Sequence, residues 1–195
     1  MNLVLIILTS VCWWTSSVNP TKELWVVQRE SAITIQGSSN IGDYWCKLNT
    51  IELGDSIYLH LQNGNLSSID NSKLFLPVKD FKCVNFLMNR DFQNLLKAKQ
   101  HRNISIQLTS LAHPENRNYA KLGGKVKITI TNISRTYPVV FEYSKINQNN
   151  FTLTGKTIIN LNDYKLEAPR RLGGMIRFER EVAVDYSLSF RKMPL

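Results

Sequence analysis

With 195 residues, 24 of them Lys or Arg against 15 Asp or Glu and a formal charge of +9, the chain has room for one domain with a real core. Nothing in the composition points to disorder or low complexity. The basic residues are scattered, and there is neither a recognition-helix pattern nor a basic strand interleaved with stacking aromatics, so nucleic acid is not expected as a partner.

Residues 1–18, MNLVLIILTSVCWWTSSV, hold an apolar run too short for a confident membrane span and then small polar residues. They read as a secretory signal peptide removed around Ser16 to Val18, leaving a domain over residues 24–192. Cys12 follows Val11 rather than a small residue, so simple export is expected in place of lipid attachment. Two cysteines then remain, Cys46 and Cys83. An even count in an exported domain suggests a disulfide, with two buried thiols as the alternative. Their separation matches neither a metal motif nor a C-x-x-C redox pair.

The folded part opens with LWVV at residues 24–27 and continues with Ile33 and Ile35 alternating in a second strand. Gly37 to Asp43 is turn-rich, and Tyr44 to Leu48 carries Cys46 into a sheet. Gly54-Asp55 and Asn63-Gly64 read as turns, flanking a strand in which Ile57, Leu59 and Leu61 face one way and His60 the other. Leu74, Leu76 and Val78 form the next strand. The best helical candidate follows, with Met88, Phe92, Leu95 and Leu96 on one face, Asn89 as its cap, Asp91 in its first turn and Lys97, Lys99 and Arg102 near its end. Ile104 to Leu111 returns to a period of two.

Residues 113–124 form a polar connection in which Gly123-Gly124 is expected to be a turn, and Val126, Ile128 and Ile130 follow as a strand. Asn132 to Arg135 turns the chain into Tyr137–Tyr143, and Asn147 to Asn150 turns it again before Phe151, Leu153, Ile158, Ile159 and Leu161. Residues 162–174 are the longest interruption, suited to a 3₁₀ turn or surface loop that includes Gly173-Gly174. The last strand is the clearest: Val182, Val184, Tyr186, Leu188 and Phe190 alternate with polar residues. Eight to ten antiparallel strands and one main helix predict an all-β fold, an up-and-down barrel or a strongly curved sheet.

Chemical equipment is sparse. His60, His101 and His113 have no partner at metal-ligand spacing, and no nucleophile elbow or phosphate-cradling glycine loop is present, so neither a catalytic site, a metal nor a cofactor is expected and the protein reads as a non-enzyme. Sequons occur at Asn65, Asn103, Asn132 and Asn150. An alternating barrel can be filled solid or can leave an elongated apolar cavity for one hydrophobic molecule. Phe92, Leu95 and Leu96 would seal such a cavity, while Phe141, Phe151, Tyr186 and Leu188 would line it. The alternative is a solid-cored interaction module whose basic segments, Lys121–Lys127 and Arg170–Arg180, touch an acidic envelope partner.

SAITIQGSSNIGDYWCKL (31–48), VKDFKCVNFLMNRDFQNLLKAKQHRNISIQL (78–108), GGKVKITITNISRTYPVVFEY (123–143), FTLTGKTIINLNDYKLEAP (151–169) and GGMIRFEREVAVDYSLSF (173–190) together resemble the YceI-like family of exported, lipocalin-like proteins, in its cysteine-containing branch. The order is intact across nearly all of Leu24 to Phe190. The resemblance implies an all-β fold, an extended antiparallel lipocalin-like β-barrel with the one main helix packed against it, periplasmic or otherwise secreted, and favours a Cys46–Cys83 disulfide. It also implies a hydrophobic or amphiphilic ligand, a long isoprenoid in some relatives. The histidine-bearing opening of the isoprenoid-binding relatives is replaced here by Ser31 and the segment Gly37–Asn40.

Overall fold

The computed structural model describes residues 21–49, 56–62, 65–70, 72–112 and 121–193. The signal-like segment, the turns at Gly54-Asp55 and Asn63-Gly64, and His113 lie outside those residues. The strands are β1 (Thr21–Val27), β2 (Ala32–Ser39), β3 (Gly42–Leu48), β4 (Ser56–Gln62), β5 (Asn65–Asp70), β6 (Lys73–Pro77), β7 (Lys82–Cys83), β8 (Asn103–Leu111), β9 (Lys121–Ile130), β10 (Ile133–Lys145), β11 (Asn150–Asn160), β12 (Arg170–Arg171) and β13 (Ile176–Met193). Among the described residues one α-helix, α1, spans Phe86–Leu95, and 3₁₀ turns occupy Val78–Asp80, Leu161–Tyr164 and Leu172–Gly174.

Every strand pairing is antiparallel, in the order β5-β4-β1-β13-β11-β10-β9-β8-β6. β13 is the spine. Its 18 residues span about 56 Å at ~3.3 Å per residue. One edge pairs with β11 throughout Glu181–Arg191, while the other takes β2 over Phe178–Ser187 and then β1 over Phe190–Met193. The alternation that made this strand legible does what it implied: Val182, Val184, Tyr186 and Leu188 are buried on the concave face with Ile33, Leu59, Ile128 and Leu153. β3 continues from β2, and β7 from β3.

The expected barrel is corrected in one respect: the sheet is an open half-barrel, not a fully closed one. β6 bonds to β8 and β7 bonds to β3, and no ladder joins β6 to β7 or to β5 among the described residues. The chain itself bridges the opening. After Pro77 it leaves the β8 edge, makes the 3₁₀ turn at Val78–Asp80 and arrives at the β3 edge as β7. Phe81, fully buried between these pieces, fixes the crossing in the core.

Several local expectations also shift. Gly123-Gly124 is not a turn but lies inside β9. The reason for glycine there is the bulge in β8, because a Cβ at Gly124 would sit 2.7 Å from the Ser110 carbonyl oxygen. The hairpin between β9 and β10 is tighter than Asn132–Arg135: Thr131 and Asn132 both take left-handed φ, and Ile130 pairs directly with Ile133. β5 carries no apolar run and is half-exposed at the sheet edge, so periodicity does not reveal it.

Candidate functional site

α1 begins at Asn85, not Asn89. Asn85 is extended (φ −151°, ψ 170°) and its side-chain oxygen accepts the Met88 N–H at 2.9 Å. Phe86 and Leu87 stand off the apolar face, exposed, which is why the helical periodicity does not reach back to the true start. Asn89 does something else: its Oδ1 accepts the Cys83 N–H at 2.9 Å. Leu96 is the C-cap and Lys97 turns left-handed, so Asp91 lies outside the first turn and Lys97, Lys99 and Arg102 lie beyond the helix. Cys46 and Cys83 form the disulfide, facing each other across β3 and β7. The helix is thus tied at its N-terminal side to the sheet edge by a covalent bond and a side-chain hydrogen bond.

Phe92 is the buried residue of α1 itself, packed on Phe81 with ring centroids 5.2 Å apart. Together with Met88, Leu95 and Leu96 it covers a small apolar cavity of about 50 Å³ against the concave face of the sheet. The opposite wall comes from Ile35, Ile104, Ile130 and Ile159, each from a different strand. Tyr44 and Phe178 close one side, in edge contact at 5.3 Å between centroids. Tyr44 reaches this position only because its cross-strand partner is Gly37: a Cβ there would stand 2.3 Å from the Tyr44 hydroxyl. Burial pushes the Tyr44 phenol above its ordinary pKa.

Two openings adjoin this seal. On one side Phe178 and Pro169 also border a broad cleft carrying Glu167, Glu179 and Glu181 beside Arg177 and Arg180. On the other, Tyr44, Met88 and Phe178 border a recess lined by Ile41, Val84 and Leu87. The Tyr44–Phe178 pair is therefore the partition between solvent on both sides and the apolar slot.

Phe92, Leu95 and Leu96, expected to seal a cavity, come together under α1 at the slot. Phe141, Phe151, Tyr186 and Leu188 are buried elsewhere in the core. Phe151 stacks among Trp25, Tyr143 and Phe190 at 4.6, 5.3 and 5.4 Å, and Phe141 lies 6.0 Å from Tyr186. These rings meet one another rather than the slot. Tyr44 and Phe178 were missed by sequence reasoning, although Tyr44 shares the parity of Cys46 and Leu48, which marks it as inward.

Between the slot and the aromatic end lie hydroxyls. Thr157 is buried two residues along β11 from Ile159, and its Oγ1, like the Tyr186 hydroxyl, has no protein hydrogen-bond partner. Burial pushes the Tyr186 phenol up to about 12. Tyr164, fully buried, is raised as well, and its hydroxyl donates to the Ile128 carbonyl at 3.4 Å.

Among the described residues no three His, Cys, Asp or Glu side chains converge where a metal could be held, and no helix is long and apolar enough to cross a membrane. His60 pairs with Asp70 at 2.7 Å, on the β4–β5 edge and away from the slot.

No family model and no curated protein matches the sequence. Solved structures do. A polyisoprenoid-binding domain from Saccharophagus degradans, implicated in plant cell wall breakdown, superposes with a TM-score of 0.63 at 11% identity, covering 87% of this chain and 98% of that one. BcnA of Burkholderia cenocepacia gives 0.54 at 12% identity, over 80% of this chain and 95% of its own. The YCEI protein of Campylobacter jejuni gives 0.52 at 11%, over 81% and 85%. The chain has the YceI-like, polyisoprenoid-binding-domain fold, stapled by the Cys46–Cys83 disulfide.

Proposed function

We propose that the protein is an exported, non-enzymatic envelope module that binds one hydrophobic or amphiphilic molecule in the slot beneath α1. The observation that carries this reading is the enclosed apolar cavity between the helix and the concave sheet, walled by Phe92, Leu95 and Leu96 on one side and four isoleucines on the other. At about 50 Å³ it is a collapsed site, since pockets for such ligands run to roughly 300–1,000 Å³. Loading requires α1 to move outward while the disulfide holds its near end, so Met88, Phe92 and Leu95 slide along the ligand as it enters. The fold of the Saccharophagus degradans polyisoprenoid-binding domain supports an isoprenoid-like lipid as the first ligand to try. Residues 1–18 would act as the signal that delivers the chain to the periplasm or beyond.

The small cavity volume favours a second reading, a solid-cored interaction module that never opens. Native mass spectrometry on protein isolated gently from its envelope separates the two. A bound mass lost on denaturation supports the carrier. Delipidated protein that takes up neither native lipid nor a fluorescent hydrophobic probe at micromolar concentration refutes it and leaves the module.

A further inference from the structure

The interior carries two hydroxyls that the fold itself does not satisfy. Thr157 and Tyr186 are 4% and 2% exposed, and neither the Thr157 Oγ1 nor the Tyr186 hydroxyl has a hydrogen-bond partner among the described residues. A buried polar atom left unpaired costs stability, and native interiors hold few of them. Here the two are neighbours. The Thr157 side chain is near enough to favour ionisation of the Tyr186 phenol, yet the pair does not close a hydrogen bond. Two such groups side by side can be satisfied by one shared oxygen.

Their place in the sheet connects them to the slot. Thr157 pairs across the ladder with Val184, and Val184 pairs with Ile35, which is itself a wall of the slot. One step along the same ladder, Ile159 and Val182 face each other and both line the slot. Thr157 is therefore set about 7 Å from Ile159 along β11, and Tyr186, paired with Gly155, lies one step deeper. An apolar chain pushed past Met88, Phe92 and Leu95 would meet isoleucine and valine first and these hydroxyls last. The charge of what can reach them is also defined. Burial and the Asp185 carboxylate keep the proton on Tyr186, and none of the groups acting on that phenol is cationic. Lys156 is held by Asp185 at 3.2 Å, both one residue out of step with Thr157 and Tyr186 and so on the other face of the sheet. A buried carboxylate or phosphate would lack a counter-charge there, whereas a neutral oxygen can accept from both hydroxyls at once.

We propose that Thr157 and Tyr186 form the polar inner terminus of the slot and receive the uncharged oxygen, hydroxyl or carbonyl, of a single-chain lipid that lies head-first with its hydrocarbon under α1. The inference rests on the carrier reading and names the class of molecule carried. A plain hydrocarbon would leave both hydroxyls against methylene groups, and an anionic head would be buried beside two phenol and hydroxyl groups with no cation. The delipidated protein and a Thr157→Val, Tyr186→Phe double variant are titrated with octane, octanol and octanoate at neutral pH. Displacement of a fluorescent hydrophobic probe reports each affinity.

The expected result is that the parent binds octanol more tightly than octanoate, and that the double variant loses about tenfold in octanol affinity while octane stays within about twofold. Each replacement removes one unpaired oxygen and nearly keeps the side-chain shape, so the variant keeps its fold, which circular dichroism checks. Either single replacement should show part of the loss. The proposal is overturned if octanol and octane weaken together, which would assign the two residues to packing. It is equally overturned if the variant leaves octanol unchanged, which would assign the hydroxyls to an internal water, or if octanoate binds the parent as tightly as octanol. Octane binding with any of these outcomes leaves the carrier reading standing. A parent that binds none of the three removes both.

Discussion

Phe92→Ala tests whether α1 is held on the sheet by packing or only by its covalent tether. Phe92 is 9% exposed and is the residue of the helix that reaches the core, where it meets Phe81 at 5.2 Å. Truncating a buried Phe to Ala costs about 3–5 kcal/mol, a transfer contribution plus a cavity contribution of ~24 cal/mol per Å³ left unfilled. The lower end applies here, because a helix joined to the sheet by few contacts can settle into the gap. About 3 kcal/mol should lower the melting temperature by roughly 6–12 °C for a chain of this size. Phe86→Ala, on the same helix but 78% exposed, is the control and should stay within about 0.5 kcal/mol. Urea unfolding of both variants, followed by far-UV circular dichroism, measures the difference. A Phe92→Ala loss below about 1 kcal/mol, or one equal to that of Phe86→Ala, would refute the picture of Phe92 as the packed anchor of the slot. The same variant enlarges the cavity, so it should take up a small apolar probe more readily than the parent.

Three further outcomes follow from the core. Replacing Cys46 and Cys83 by Ala together should cost about 4 kcal/mol by loop closure over their 37-residue separation, and should speed amide exchange in α1 before β13; equal exchange in both would show that the tether does not restrain the helix. Thr157→Val removes a buried hydroxyl without a protein partner and should be neutral or stabilising by about 1 kcal/mol in chemical denaturation; a loss above about 1 kcal/mol would mean that the hydroxyl is satisfied. Tyr186 keeps its proton more tightly in the fold than in the unfolded chain, where the phenol titrates near 10. Its contribution is therefore fully present below about pH 10 and fades as pH rises toward about 12, with Tyr44 and Tyr164 acting in the same direction. The parent should lose more stability than Tyr186→Phe across that window in paired urea titrations, and parallel curves would contradict it.

The strands were legible wherever one face is dry and the other wet. β13 is the clearest case, and Ile57, Leu59 and Leu61 in β4 follow the same rule. Alternation is silent about β5, whose residues sit at an edge and need no apolar face, and about β7, whose two residues are placed by a disulfide and not by a pattern. The start of α1 was hidden for a related reason. Phe86 and Leu87 are apolar but exposed, so they break the periodicity that defines the rest of the helix, and the cap at Asn85 lies one step further back. The split of the expected lining residues was not legible at all. Parity states that Phe92 and Phe151 both point inward; it does not state that one faces a cavity and the other a wall of rings.

That split carries a functional consequence. At the aromatic end, Trp25, Phe151 and Phe190 are clamped between β1, β11 and β13, three strands joined by continuous ladders, and expansion there would break backbone hydrogen bonds. At the helix end the sheet is open between β6 and β7, and α1 crosses the concave face without a ladder to break. Moving it outward exposes mainly Phe92, Leu95 and Leu96, and a hydrophobic ligand entering the slot would cover those same side chains again. The change needed for loading is thus confined to the element with the fewest backbone constraints. The covalent tether at Cys83 limits the motion to a swing of the far end, so a ligand would enter from the Leu95–Leu96 side or past the Tyr44–Phe178 pair. Substituting Tyr44 should change the rate of uptake more than the affinity, because the ring guards the slot without forming its floor.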